Sequence, residues 1–478
     1  MTTLLSIELW IESLFIILYC LTIFGLITVV IIENRNPVKS VAWIAVLLML
    51  PFLGILFYFF FGQDNRKQRI VSHRSYRRIM KGAYKQQIGK VPYSLPNGNS
   101  PLAKLIDQMG SSPLLHGSDI RTFTDGQTKM ECLLEDIRSA KEFIHLEYYI
   151  FTDDEVGKTM KDALIAKAQE GVQVRVIYDD VGSWGTKKQF FSEMQQAGIE
   201  VYAFLPVFFP RFTSKVNYRN HRKIVVIDGA IGYLGGMNIA NRYVKGLDWG
   251  CWKDLHFRLM GEGVHGLQMA FLVDWYVVSQ EIIEGKKFYP KPTIYNDNAL
   301  QVATSGPTGL WRTLLQATIH LVANAKQYIY IQTPYFIPTE GLNQVLQTAA
   351  LSGVDVRIML PQRSDTKMAN WASHSFIEEM LRAGVAVYFY KPGFLHSKLI
   401  ITDDTVSCIG SANMDFRSLE HNFEITAYVY DENLTKSLCK QFLSDCEACE
   451  KPSFASWRRR PFRDRLRESF MRLFSPLL

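Results

Sequence analysis

His221, Lys223 and Asp228 stand in the spacing H-x-K-x4-D within Asn217-Tyr-Arg-Asn-His-Arg-Lys-Ile-Val-Val-Ile-Asp228. His396, Lys398 and Asp403 repeat that spacing 175 residues later. Each copy runs on to Gly-[Gly/Ser]-x-Asn, as Gly235-Gly-Met-Asn238 and Gly410-Ser-Ala-Asn413. In an extended strand the period of two puts the His and Lys of each copy on one face. Lysine ammonium groups suit phosphate oxygens as point charges, and imidazole titrates near neutrality. Two such pairs in one cavity support a two-step displacement at phosphorus. One histidine forms a covalent phosphoryl-enzyme; the other protonates the leaving alkoxide, then deprotonates the incoming hydroxyl.

Asn238 and Asn413 are candidates to donate amide hydrogens to the same phosphate as Lys223 and Lys398. Ser411 is a candidate for a hydroxyl contact on one side only, because Gly236 holds the matching place. The two lysines supply the charge a cation would otherwise bring, so the expected site has neither metal nor cofactor. Asp228 and Asp403 count with the catalytic set as motif members, but they follow a four-residue apolar run. They are expected to fix turns rather than touch substrate. Each histidine needs a carboxylate on its other nitrogen to hold the tautomer. Asp254, 33 residues past His221, is the expected partner of His221; Glu424, 28 residues past His396, is the candidate within the second copy.

The elements that must position these residues also come twice. Ala140–Phe151 and Ala325–Phe336 each run from a helix end into an apolar strand. Gly171-Val-Gln-Val-Arg-Val-Ile177 matches Gly353-Val-Asp-Val-Arg-Ile-Met359, a glycine helix stop before a β-branched strand. Glu193-Met-Gln-Gln-Ala-Gly198 matches Glu379-Met-Leu-Arg-Ala-Gly384. Order is kept and only loop lengths differ. Strand–helix alternation predicts an α/β fold of two duplicated halves, with mostly parallel sheets around one shared site. The expected halves are 102–290 and 291–450. The strand ends Tyr149, Thr333, Pro334 and Tyr335 are candidate cavity walls, and Phe204–Pro210 a candidate apolar lip.

Ahead of the halves, Leu14–Ile32 and Val41–Phe61 are uncharged runs of 19 and 21 residues, each long enough to cross a membrane. They predict a transmembrane helical hairpin over 1–63, its arms joined by Glu33–Ser40. A basic linker, 64–101, follows, with nine Lys/Arg and no acid between Arg66 and Lys90. That asymmetry predicts a cytoplasmic catalytic part and contact with anionic headgroups. Two crossings would bring the N-terminus back to the same side. The tail 451–478 is basic. Phe462, Leu466, Phe470 and Leu473 fall on one helical stripe flanked by arginines, the pattern of a helix lying in an anionic membrane interface. The chain has 478 residues and a net charge of +7, with seven cysteines at no framework spacing, which excludes a secreted disulfide scaffold.

The duplicated H-x-K-x4-D-x6-G-[GS]-x-N motif resembles that of the phospholipase D superfamily. Together with the hairpin and the basic linker, the chain resembles bacterial cardiolipin synthases over essentially its whole length. The resemblance implies His221 as nucleophile and His396 as general acid/base, a choice the symmetry of the motif leaves open. It implies a multi-pass protein of the bacterial cell membrane that transfers a phosphatidyl group between two phosphatidylglycerol molecules. The alternative is a membrane-bound hydrolase with water as acceptor. The hairpin argues against nucleic acid as substrate.

Overall fold

The computed structural model describes residues 2–32, 37–50, 52–62, 71–81, 95, 98–110, 112–207 and 218–477. They fall into one unit of residues 1–65 and 207–217 and a body that carries both His-Lys motifs. In the N-terminal unit Thr2–Ile32 is one helix, and its segment Trp10–Ile32 is apolar enough to cross a membrane, with mean hydropathy 2.9. It packs against helix Pro37–Met49 through Ile23, Val30 and Leu47. The helical hairpin is therefore present, but its second arm is shorter than the apolar run. Glu33–Asn36 of the link lie outside the described residues.

The expected second span, Val41–Phe61, is not one helix. It stops at Met49, and Phe52 takes a left-handed φ of 61° before a short helix Leu53–Phe57. The returning chain lies against the helix it left. A Cβ on Gly54 would sit 2.7 Å from the Val46 carbonyl, and the Trp43 and Tyr58 rings meet at 5.5 Å. Pro51 has no N–H to continue the helix, and Gly54 permits the close approach. The second run thus folds back on itself, and among the described residues only Trp10–Ile32 is a helix long and apolar enough to cross a membrane.

In the body, the first half contributes β1 (Asp119–Phe123), β2 (Phe143–Tyr148), β3 (Gln173–Asp179), β4 (Glu200–Phe204), β5 (Lys223–Ile227), β6 (Ile231–Gly235) and β7 (His256–Met260). The second contributes β8 (Ala299–Ser305), β9 (Tyr328–Gln332), β10 (Asp355–Pro361), β11 (Ala386–Tyr390), β12 (Leu399–Thr402), β13 (Val406–Gly410) and β14 (Glu424–Tyr430). Strand order is β1-β7-β6-β5-β2-β3-β4 in one sheet, and β8-β14-β13-β12-β9-β10-β11 forms the matching part of the other. The seven strands of each half thus follow one order.

Both sheets are mixed. β2, β3 and β4 are parallel, as are β9, β10 and β11, because a helix crosses between them. The motif strands run antiparallel, since β5–β6 and β12–β13 turn tightly at Asp228–Ala230 and Asp403–Thr405. The glycine stops behave as their positions require. Gly171 and Gly353 have φ of 92° and 93°, a region a β-carbon makes costly.

The boundary at residue 102 needs correction. Helix Ser100–Gly110 buries Leu102, Ala103 and Ile106 among second-half residues, and the Gln301 side-chain amide donates to the Ala103 and Ser112 carbonyls. Leu115–His116 also pairs with β8. The chain enters through the second half and begins the first at β1. One apolar layer joins the halves: Ile224 and Val226 of β5 share a cluster with Ile401 of β12 and Ile425 of β14. Strand alternation sends Val225 and Ile227 into a separate first-half core.

Candidate active site

His221 and His396 lie just ahead of β5 and β12, and each is fixed to the opposite half by backbone hydrogen bonds. The His221 N–H donates to the Phe423 carbonyl at 2.9 Å, and the Phe423 N–H donates to the Arg219 carbonyl at 2.9 Å. The His396 N–H donates to the Lys253 carbonyl at 2.7 Å, while Gly393–Leu395 pairs in parallel with Cys251–Lys253. Phe423 immediately precedes Glu424, and Lys253 immediately precedes Asp254. The carboxylate that reaches each imidazole therefore belongs to the other half. His221 Nδ1 lies 3.0 Å from Glu424 Oε1, and His396 Nδ1 lies 2.6 Å from Asp254 Oδ2. This overturns the within-half pairing of Asp254 with His221 and Glu424 with His396. A carboxylate only accepts, so each Nδ1 carries the proton and Nε2 is left for the cavity.

Burial sets the charge state of the site. It holds His221 below the ordinary imidazole value, with Glu424 opposing and the lysines assisting. Burial and then Lys398 bring His396 down to about 4. Burial also lowers Lys223 to about 7 and Lys398 to about 8, although both carboxylates pull these values up. Burial raises Asp254 and Glu424, but the facing histidines and lysines outweigh it and leave both below the usual carboxylate range. Near neutral pH the imidazoles are neutral, the carboxylates are charged and the lysines are close to titration. A group so poised responds strongly to an arriving anion.

The two motif aspartates lie at the far ends of β5 and β12 and do not enter the cavity. Asp228 accepts the N–H groups of Lys141, Glu142 and Phe143 at 2.8, 2.8 and 2.9 Å. Asp403 accepts those of Lys326, Gln327 and Tyr328 at 2.8, 2.9 and 2.9 Å. Both take a left-handed φ of 52°. They staple the β5–β6 and β12–β13 hairpins to the starts of β2 and β9.

Ser411 is also displaced from its expected role at phosphate. It is fully buried, and its hydroxyl donates to Glu424 and accepts the Ile425 N–H at 3.0 Å. In the first half, a Cβ on Gly236 would lie 2.0 Å from Asp254 Oδ1. The Gly/Ser difference thus follows the carboxylates: glycine leaves room for Asp254, and serine holds Glu424. Asn238 and Asn413 reach the cavity, but each already donates one amide hydrogen, to Tyr243 and to Asp415 respectively.

Both histidines line a single cavity of about 370 Å³. Lys223 and Lys398 lie buried beneath them, and Lys223 Nζ sits 5.4 Å from the Tyr149 ring. Tyr149 packs edge-on against His221 at 4.9 Å, and Trp252 stands 5.0 Å from His396. Tyr335 is in the wall, whereas the Thr333 hydroxyl turns to the Tyr335 carbonyl and the Met414 N–H. Of the proposed lip, Phe204 is buried against Phe423, and Phe208–Pro210 lie outside the described residues, as does Asn217. Asp179 accepts the Asn220 N–H at 2.8 Å and faces Arg219, supporting the motif loop.

Sequence reasoning missed Arg219, Arg242, Tyr243, Trp252, Asp415 and Arg417 in the cavity wall. Arg219 had a signal, since it precedes His221 by two residues and so shares its face. Trp252 and the others come from short strands and short helices that only the fold brings to the cavity.

Two α/β halves of one strand order, each giving a histidine to a common cavity with its lysine buried beneath, define the phospholipase D architecture. The body is similar to the crystal structure of phosphatidylserine synthase from Haemophilus influenzae, with TM-score 0.61 at 16% identity, covering 79% of this chain and 100% of that one. Residues 133–248 and 318–446 match the family model described as cardiolipin synthase, PLD-like domain, and residues 20–63 match a phospholipase D-nuclease N-terminal model. Cardiolipin synthase from Alkalihalophilus pseudofirmus is 38% identical over 477 residues, covering 98% of this chain and 95% of that protein. The major cardiolipin synthase of Bacillus subtilis is 38% identical over 472 residues, covering 96% and 98%. The chain belongs to the cardiolipin synthase family of phospholipase D-like enzymes. Membership agrees with the apolar N-terminal helix in making it a membrane protein.

Proposed function

We propose that this enzyme makes cardiolipin from two molecules of phosphatidylglycerol and releases glycerol. The observation that carries the reading is the pair of imidazoles facing one cavity, each held at Nδ1 by a carboxylate from the other half. The arriving phosphodiester anion raises the proton affinity of its neighbours, so His396 takes up a proton and both lysines stay charged. His221 Nε2 then attacks phosphorus. The bond from phosphorus to the headgroup oxygen breaks, and His396 gives its Nε2 proton to the departing glycerol. In the second step a headgroup hydroxyl of another phosphatidylglycerol gives its proton to His396 and attacks phosphorus. The phosphorus–nitrogen bond breaks, leaving His221 neutral and His396 protonated as at the start. Glu424 and Asp254 stabilise the positive charge that each imidazole carries in turn.

Trp10–Ile32 anchors the enzyme, and the positive charges after the hairpin favour a cytoplasmic catalytic part in a bacterial cell membrane. The basic run lies against anionic headgroups, worth roughly 1 kcal/mol per residue near the surface. Its described part is helix His73–Lys81; residues 66–70 and 82–90 lie outside the described residues.

The test is product identification. Purified full-length enzyme on phosphatidylglycerol vesicles should yield cardiolipin and glycerol in equal amounts. Phosphatidic acid as the main product would replace transfer by hydrolysis. The His221→Ala and His396→Ala variants should each abolish turnover; full activity in either would refute the shared site.

A further inference from the structure

The C-terminal segment is docked on the body by its charged face. Helix Phe462–Arg472 lies along helix Lys367–Arg382. Glu468 is buried and receives Arg460 through two bonds of 2.7 and 2.9 Å. Arg472 bonds Glu379 at 2.8 Å and stacks over Phe376 at 4.1 Å. Met471 is buried, and Trp457 stacks on Phe389 at 5.4 Å.

This docking turns the apolar stripe outward. Glu468 and Met471 lie on the opposite side of the helix from Phe462, Leu466, Phe470 and Leu473, at 100° per residue. Those four are 74, 57, 57 and 74% exposed. The protein's own core already holds the other face, so the stripe is not a core surface. Exposed Arg458, Arg459, Arg463, Arg465 and Arg467 flank it. The chain then turns at Ser475–Leu477, and Leu477 forms part of the catalytic cavity wall beside Arg417 and Ser418.

We propose that this helix and the turn after it form a docking face for an anionic bilayer, continuous with the mouth of the catalytic cavity. The apolar stripe enters the acyl region, the arginines meet the headgroup phosphates, and Leu477 carries the apolar wall from the bilayer into the site. A phosphatidylglycerol molecule then reaches His221 and His396 along a protein surface without leaving an apolar path. The inference rests on the reaction proposed above. An anionic bilayer is favoured over a second copy of the chain because matching arginine borders would repel each other.

The experiment uses the full chain with Phe462→Ser, Leu466→Ser and Phe470→Ser combined, which keeps every docking ion pair. Cardiolipin synthesis is measured in phosphatidylglycerol proteoliposomes, and in nonionic detergent with short-chain phosphatidylglycerol. A photoactivatable phosphatidylglycerol, labelled in its acyl chain, maps lipid contacts on the wild type by mass spectrometry. The bilayer rate should fall about tenfold or more, the loss expected for three interfacial apolar side chains, while the detergent rate stays within about twofold. Acyl crosslinks should appear between Phe462 and Leu473. Equal loss in both formats, no loss in either, or crosslinks confined to residues 10–32 would overturn the proposal, as would tail-to-tail crosslinking of two copies without lipid. If the wild type makes no cardiolipin in either format, the proposed reaction fails, and the crosslink map still decides the docking face.

Discussion

Glu424→Gln and Asp254→Asn each remove the charge behind one imidazole while keeping side-chain size. Each should lower kcat by about 10²- to 10⁴-fold in steady-state assays with little change in thermal stability, because the carboxylates fix tautomer and stabilise imidazolium. Losses under threefold would mean that the carboxylates are packing groups. The lysines set a pH dependence. A lysine with a lowered pKa is charged below that value and neutral above it. Lys223 at about 7 and Lys398 at about 8 therefore predict that kcat/KM falls as pH rises through that range. His221, the nucleophile, must be unprotonated to attack, and burial holds it below its ordinary value, which places the acid limb below the usual imidazole range. A profile flat from pH 6 to 9 would contradict this. At this scale the motif residues were legible because type and spacing state their chemistry. The role of Ser411 was not, because a hydroxyl suits a phosphate or a carboxylate equally and only its seat against Glu424 decides.

At the scale of elements, Asp228 and Asp403 separate support from chemistry. Each accepts three backbone N–H groups from a left-handed position, so Asp228→Ala loses the bonds and strains the turn. Thermal unfolding should show a loss of about 2–4 kcal/mol, with kcat/KM per folded molecule nearly unchanged. Strongly reduced kcat in a protein of unaltered stability would return Asp228 to the catalytic set. The duplicated strands and helices were readable because apolar runs, glycine stops and order repeat together. The second apolar run does not form the single helix expected, because length and hydropathy do not register the break between Met49 and Leu53 or the close approach at Gly54. The expectation of mostly parallel sheets held for the helix-linked strands. It missed the antiparallel motif hairpins, whose three-residue turns leave no room for a crossover.

At the scale of the whole molecule, the halves are not two catalytic units but two suppliers to one cavity. Pairing Asp254 with His221 was the natural choice from sequence separation, and it was wrong. Separation along the chain carries no record of which strands meet across a pseudo-symmetric interface. The crosswise arrangement follows from two short backbone contacts, Asn220 with Phe423 and Gly393–Leu395 with Cys251–Lys253. Each half therefore builds its own histidine and the partner of the other. Selectively labelled histidine NMR of the full-length enzyme in detergent tests this most directly, with His221 and His396 assigned by substitution. A carboxylate raises the pKa of the imidazole it faces, so Glu424→Gln should lower the pKa of His221 and move His396 much less, and Asp254→Asn should do the reverse. If Glu424→Gln instead moves His396 and leaves His221 in place, each half orients its own histidine and the crosswise site is refuted.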